Sequence, residues 1–184
     1  EPARSLELWR RTYALDPGFE AGYYETTRLL MAASRDAEAL PVSEAGLAKA
    51  PDSARLHLAR AGMLERLGRP YDSRRGLEAA AARLQNPEIL RRRAEQEDLY
   101  GKSAALAYRK WAESLDQAKA PSAELEAVAR RGLTVSLRDH EPELAGWFQE
   151  LARRRDAGQP ASGATAQSTR TAGAPEGLVP GGLA

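Results

Sequence analysis

The chain contains no cysteine, which excludes disulfides, thiolate nucleophiles and cysteine-ligated metals while suiting either redox compartment. It has two histidines, His57 and His140, 83 positions apart. Neither has a second histidine at the spacing a zinc site needs. No apolar run approaches the roughly 18 residues that mark a transmembrane helix. Aromatic residues make up 6% of the chain, and 27 basic side chains against 26 acidic ones leave a net charge of +1. No charge excess therefore points to nucleic acid or to a membrane surface. The Gly-x-Ser-x-Gly elbow, the Walker phosphate loop and the Gly-x-Gly-x-x-Gly turn are all missing.

What is present is a helix-forming composition dominated by alanine, leucine, arginine and glutamate, poor in the β-branched residues that strands favour. Pro17, Pro51, Pro87 and Pro121 stand 34, 36 and 34 residues apart. Each falls where one helical period ends and another begins, so a two-helix unit recurs. One such unit cannot bury its own apolar face, and the units must stack.

Residues 2–15 carry Leu6, Trp9 and Tyr13 at helical spacing before the stop at Asp16-Pro17-Gly18. A second helix, from about Glu20 to Ala33, turns Tyr23, Thr26/Thr27, Leu30 and Met31 inward. A third, to about Ala50, buries Ala39, Leu40, Val42/Ser43 and Leu47, with Pro41 expected in its first turn, where no amide partner is lost. Asp52 or Ser53 caps a fourth helix carrying Leu56, Leu58, Ala61, Leu64 and Leu67, and Gly68 stops it. Arg69-Pro70 opens a fifth, with Tyr71, Leu77, Ala80 and Leu84 inward. Asn86-Pro87 opens a sixth, with Ile89/Leu90, Ala94 and Leu99-Tyr100 inward, ending at Gly101. A seventh, from about Lys102 to Lys119, is expected to be the longest and carries Ala105, Tyr108, Trp111/Ala112 and Leu115. An eighth follows Pro121-Ser122 with Leu125, Val128/Ala129, Leu133 and Leu137. A ninth carries Leu144, Trp147/Phe148 and Leu151, with Asp139 as its expected cap. From Asp156 the composition shifts to Ala, Gly, Pro, Ser and Thr without apolar period, and a disordered linker or tail over 156–184 is expected. Glu1 opens directly into helix without an initiator methionine or leader pattern, so we expect an excerpt or a processed form, cytoplasmic, or periplasmic if an upstream signal has been removed.

These residues resemble the tetratricopeptide repeat family, whose 34-residue unit is a helix–turn–helix. In the unit from Glu20 to Ser53, Tyr23 matches the bulky position, Ala39 and Gly46 the small ones, Leu47 the following apolar one and Pro51 the close, with Ser34 in place of the turn glycine. The unit from Ala54 keeps Ala61, Gly68, Leu77 and Ala80, with His57 where a large residue is usual. From Pro87, Leu90, Ala94 and Gly101 keep the pattern, and the second helix then drifts out of phase. The last unit retains Leu125 and Ala129 without the turn glycine. The resemblance implies an all-α, right-handed α-solenoid of about nine helices over 1–155: a half repeat (1–19) and repeats over about 20–53, 54–86, 87–121 and 122–155.

The resemblance also implies a protein–protein interaction scaffold, with first helices lining a concave groove for a peptide or helix. Carried over residue by residue, the reading positions are Tyr24 and Arg28, then Arg55, Leu58 and Arg66, then Arg91 and Glu95, then Glu126 and Arg130. Five arginines against two glutamates predict a mildly basic groove and an acidic partner. The plain alternative is that these arginines only solvate helix faces. The lysine and asparagine clamp for a terminal carboxylate is not matched at Tyr24 and Arg28. Other readings are a non-catalytic accessory region of a larger enzyme or envelope protein, and an RNA-binding helical repeat, which the absent charge excess disfavours. No enzymatic activity, cofactor, metal, nucleic acid or membrane insertion is expected. His57 reads as a packed core residue, and Asp139-His140-Glu141 as a capping cluster rather than a catalytic one.

Overall fold

In the computed structural model, residues 2–101 and 104–156 are described. Among them are nine α-helices and no strand: α1 (Pro2–Leu15), α2 (Glu20–Ala32), α3 (Asp36–Lys49), α4 (Ala54–Arg66), α5 (Pro70–Leu84), α6 (Pro87–Tyr100), α7 (Ala104–Gln117), α8 (Ser122–Arg138) and α9 (Pro142–Asp156). Each helix packs on the next in sequence, so α1 is followed by four helical hairpins, α2–α3 through α8–α9, stacked as a solenoid. The expectation of a disordered 156–184 falls, beyond Asp156, outside the described residues, as does the start of α7 at Lys102. The longest described helix is α8, with 17 residues, because the backbone turns left-handed at Lys119 (φ 54°) soon after α7 ends.

The turns inside the hairpins explain the register. At Gly68 (φ 73°), the Arg69 amide reaches back to the Leu64 carbonyl at 2.7 Å, the six-to-one bond of a helix closed by a left-handed residue. Ser34 (φ 56°) and His140 (φ 58°) adopt the same conformation, with Arg35 N–H bonded to Leu30 (2.9 Å) and Glu141 N–H to Ser136 (2.8 Å). The missing turn glycines are thus replaced in function, at the steric cost a Cβ brings there. Gly101 breaks the series: its backbone is extended (φ −108°, ψ −179°). The hairpin α6–α7 therefore turns differently from the other three.

Caps fall where hydroxyl and amide side chains allow. Ser53 Oγ accepts from Leu56 N–H at 3.3 Å, and Asn86 Oδ1 from Glu88 and Ile89 N–H at 3.0 and 3.2 Å. Asp139 does not cap α9. It ends α8, and its carboxylate holds Arg138 at 2.6 Å. Pro41 is the sixth residue of α3 rather than part of its first turn. It leaves the Ala37 carbonyl without its usual donor, at an exposed position open to solvent.

The interior forms three apolar clusters: Leu30, Ala39 and Met63; then Ala61, Leu77, Ala80, Ala81, Ile89 and Leu90; then a larger one from Ala94 to Leu151 centred on Phe148. Trp111 packs against the last two and joins them. Four side chains expected inward lie on the surface, 58–73% exposed: Tyr71, Leu99, Tyr100 and Leu137. Helical phase is the reason for three of them. The buried stripes run 73, 77, 80/81 in α5, 89/90, 94, 96/97 in α6, and 125, 128/129, 132, 135/136 in α8. At 3.6 residues per turn Tyr71, Leu99 and Leu137 fall off the stripe, while Tyr100 is in phase with it but is the last residue of α6. His57 is half-buried rather than core, its Nε2 lying 2.9 Å from the Pro51 carbonyl.

The stack changes character along its length. Among first helices, α2 packs on α4 and α4 on α6, so this row is the tighter, inner one. At the last junction the close packing passes to the second helices, α7 on α9, and α6 and α8 have no comparable contact. A gap opens between α6 and α8.

Candidate partner-binding cleft

Side-chain chemistry across the first-helix row begins with carboxylates. Glu20 on α2 hydrogen-bonds Arg55 on α4 and the Ser53 hydroxyl. The Arg55 bond holds the Glu20 carboxyl below its ordinary range, against the opposing effect of burial. Glu65 on α4 takes Arg92 on α6, and Gln96 joins this knot by donating to Glu65 and to Ser73 (2.6 Å). Asp98 on α6, 6% exposed, takes two arginines of α8: Arg131 Nε at 2.8 Å and Arg138 Nη1 at 2.7 Å. Burial pushes the Asp98 carboxyl up, but Arg138 and Arg131 outweigh it and hold it below the usual value. A carboxylate on each inner helix thus takes an arginine from the next. Between α6 and α8, where the backbones separate, long guanidinium arms span the gap.

The residues expected to read a ligand separate into two groups. Arg28 is tied to Glu25 within α2 at 2.8 Å, Arg66 to Asp36 of α3, and Arg130 to Glu126 at 3.4 Å. Arg55 is held by Glu20, and its guanidinium lies 4.7 Å over the Tyr24 ring. Leu58 packs against the cluster of Ala61 and Leu77. Four of the five arginines therefore already hold a carboxylate of their own chain. Arg91, exposed on α6, makes no ion pair among the described residues.

Arg91 and Glu95 are brought together on one wall of a cavity of about 310 Å³ in the α6–α8 gap. The opposite wall is Glu124, Ala127, Val128 and Arg131 of α8, and the floor is Tyr108 and Trp111 of α7. Arg131 and Tyr108 close one end, since both reach Asp98, the tyrosine hydroxyl at 3.3 Å. Glu95 keeps a weak contact with Arg92 at 3.5 Å, and Glu124 has no ion pair among the described residues. The cleft thus offers an aromatic floor, one unpaired cation and one unpaired anion. Glu126 and Arg130 sit on α8 outside its lining.

Reading the sequence missed Tyr108, Trp111, Glu124, Ala127, Val128 and Arg131 as cleft residues. Tyr108 and Trp111 have the phase of core residues, and they become a floor only because α6 and α8 separate above them. The available signal was the phase drift after Gly101. Among the described residues no group of three or more His, Asp or Glu side chains is arranged to hold a metal ion, and no described helix is long and apolar enough to cross a membrane. No family model and no curated protein matches this chain.

Proposed function

We propose that this chain is an interaction scaffold of the tetratricopeptide type, binding a peptide or short helix of a partner protein in the α6–α8 cleft. The observation that carries this reading is the cavity between α6 and α8, two inner helices that do not pack closely on one another, floored by the half-buried Trp111 with Tyr108 buried beside it. A cavity of this size is at the lower end of those that take small ligands, enough for one or two anchoring side chains. An apolar or aromatic anchor of the partner sits on Trp111 and Val128, an acidic residue meets Arg91, and a basic one meets Glu124. Preformed walls reduce the ordering cost of binding.

Ala127 is exposed on the cleft wall, so Ala127→Arg fills the cleft without touching the core. Peptides selected from a random display library on the native chain are expected to lose at least about tenfold in affinity on Ala127→Arg, the size of one buried anchor. Arg91→Glu should weaken the acidic ones among them. Selected peptides that bind Ala127→Arg as well as the native chain would place recognition elsewhere and remove this reading.

A further inference from the structure

On the other row of helices, between α5 and α7 and over α6, lies a second cavity of about 410 Å³. Its polar lining includes Glu78, Arg93, Lys110, Glu113 and Ser114. Arg93 rises from α6 with its side chain only 13% exposed. Unlike the arginines of the inner row, it has no close carboxylate. Among the described residues its buried Nε has no hydrogen-bond partner, and its one ion contact, Nη2 to Glu78 Oε1, is 3.8 Å, far longer than a charge-assisted hydrogen bond. A guanidinium carries five donors, and burying it without a matched anion costs far more than burying it paired.

The other charges around it do not supply that anion. Glu113 is held by Arg109 at 2.8 Å, and Glu78 is itself 62% exposed and free to leave. Lys110 is exposed beside the cavity and makes no ion pair among the described residues. Ser114 spends its hydroxyl on the Gln85 carbonyl at 3.3 Å. A largely buried cation whose ion contact is long and held by an exposed carboxylate, with a second cation at the rim, is complementary to a carboxylate.

We infer that this cavity is a carboxylate site, independent of the α6–α8 cleft: Arg93 binds the ligand's carboxylate from below, Lys110 from the rim, and Glu78 turns out to solvent as it enters. The carboxylate belongs either to a small organic acid or to an Asp or Glu side chain of a partner, and one titration distinguishes them. The full chain, labelled with ¹⁵N-arginine, is titrated with succinate and separately with an Asp-rich helical peptide at matched ionic strength, following the arginine Nε–Hε resonances. The Arg93 resonance is expected to shift saturably. Saturation by succinate identifies the small-acid source, and tighter saturation by the peptide identifies the side-chain source. Arg93→Gln abolishes the response, with helicity by circular dichroism as its control. Because that variant removes a half-buried side chain, the exposed Lys110→Gln and Glu78→Gln provide the second test. The first weakens binding about threefold and the second strengthens it by a similar factor, as single exposed charges do. No saturable shift with either ligand, or a Glu78→Gln variant that binds no more tightly, overturns the assignment.

Discussion

The two ends of this solenoid are assembled from the same helical hairpin but joined in different ways. From α2 to α6 the inner helices touch, and Glu20–Arg55 and Glu65–Arg92 add polar contacts over a closed apolar seam. From α6 to α9 the outer helices touch, Phe148 carries the core, and α6 is linked to α8 through Asp98 and its two arginines. The first arrangement packs the inner helices on one another, with a depression only at their N-terminal ends, where Glu20, Arg55 and Glu88 meet. The second leaves a cleft. A repeat protein can thus open a cleft by moving the packing from one row to the other at a single junction.

The largest effects should come from the close approaches that define each end. A Cβ at Gly132 would lie 2.2 Å from the Phe148 ring, whereas one at Gly46 would lie 2.7 Å from Tyr23 Cβ. Gly132→Ala should therefore destabilise by about 2–4 kcal/mol, because a fully buried ring cannot retreat. Gly46→Ala should cost less, about 1–2 kcal/mol, part of it offset by alanine's better helix propensity. Urea unfolding monitored by circular dichroism measures both, and equal costs would contradict the contrast between the two ends.

Next come the polar links. Asp98→Asn should cost about 1–3 kcal/mol, as loss of a buried charged hydrogen-bond partner does. Glu20→Gln, on a seam already closed by packing, should cost about 1 kcal/mol or less. Both carboxyls have lowered values in the folded state. Their stabilisation is therefore fully present above the ordinary carboxylate range near pH 4 and is lost as the pH falls through the lowered folded values. Acid unfolding of Asp98→Asn should show a shallower loss than the native chain over that window, and an unchanged slope would deny Asp98 its role.

The smallest effects lie in the turns. Ser34→Gly and His140→Gly relieve a left-handed backbone and should each raise stability by up to about 1 kcal/mol, reduced by the entropy glycine gains when unfolded. A loss of thermal stability in either would contradict the turn assignment.

Much of this architecture is readable from the residues. Spaced prolines mark the hairpin junctions, Gly68 marks one turn, and Ser53 and Asn86 mark two helix starts, because each acts through its own backbone or the next turn of helix. Arg130 meets Glu126 at the i, i+4 spacing of its own helix, whereas Arg55 and Arg66 resisted reading because an arginine side chain reaches a neighbouring hairpin as easily as solvent. Which carboxylate it finds depends on stacking, not on local spacing. Leu99 was misplaced because Gln96 and Glu97 occupy the inward positions of α6, and a polar residue on the buried stripe hides the true phase; Tyr100 keeps that phase but stands at the helix end. The cleft was out of reach for the same reason: it arises from the extended Gly101 and the shift of contact from α6 to α7, both properties of the junction rather than of any one helix.

Because the chain has no native cysteine, a pair of spin labels can be placed cleanly on the two cleft helices. Glu88 of α6 and Ala123 of α8 are exposed near its open end and outside its lining. Electron–electron distance measurement between Glu88→Cys and Ala123→Cys should give one narrow distribution, broadened by Asp98→Asn and shifted by a peptide selected on the native chain. A native distribution already broad, or one that neither the substitution nor the peptide changes, would contradict a preformed cleft held by Asp98.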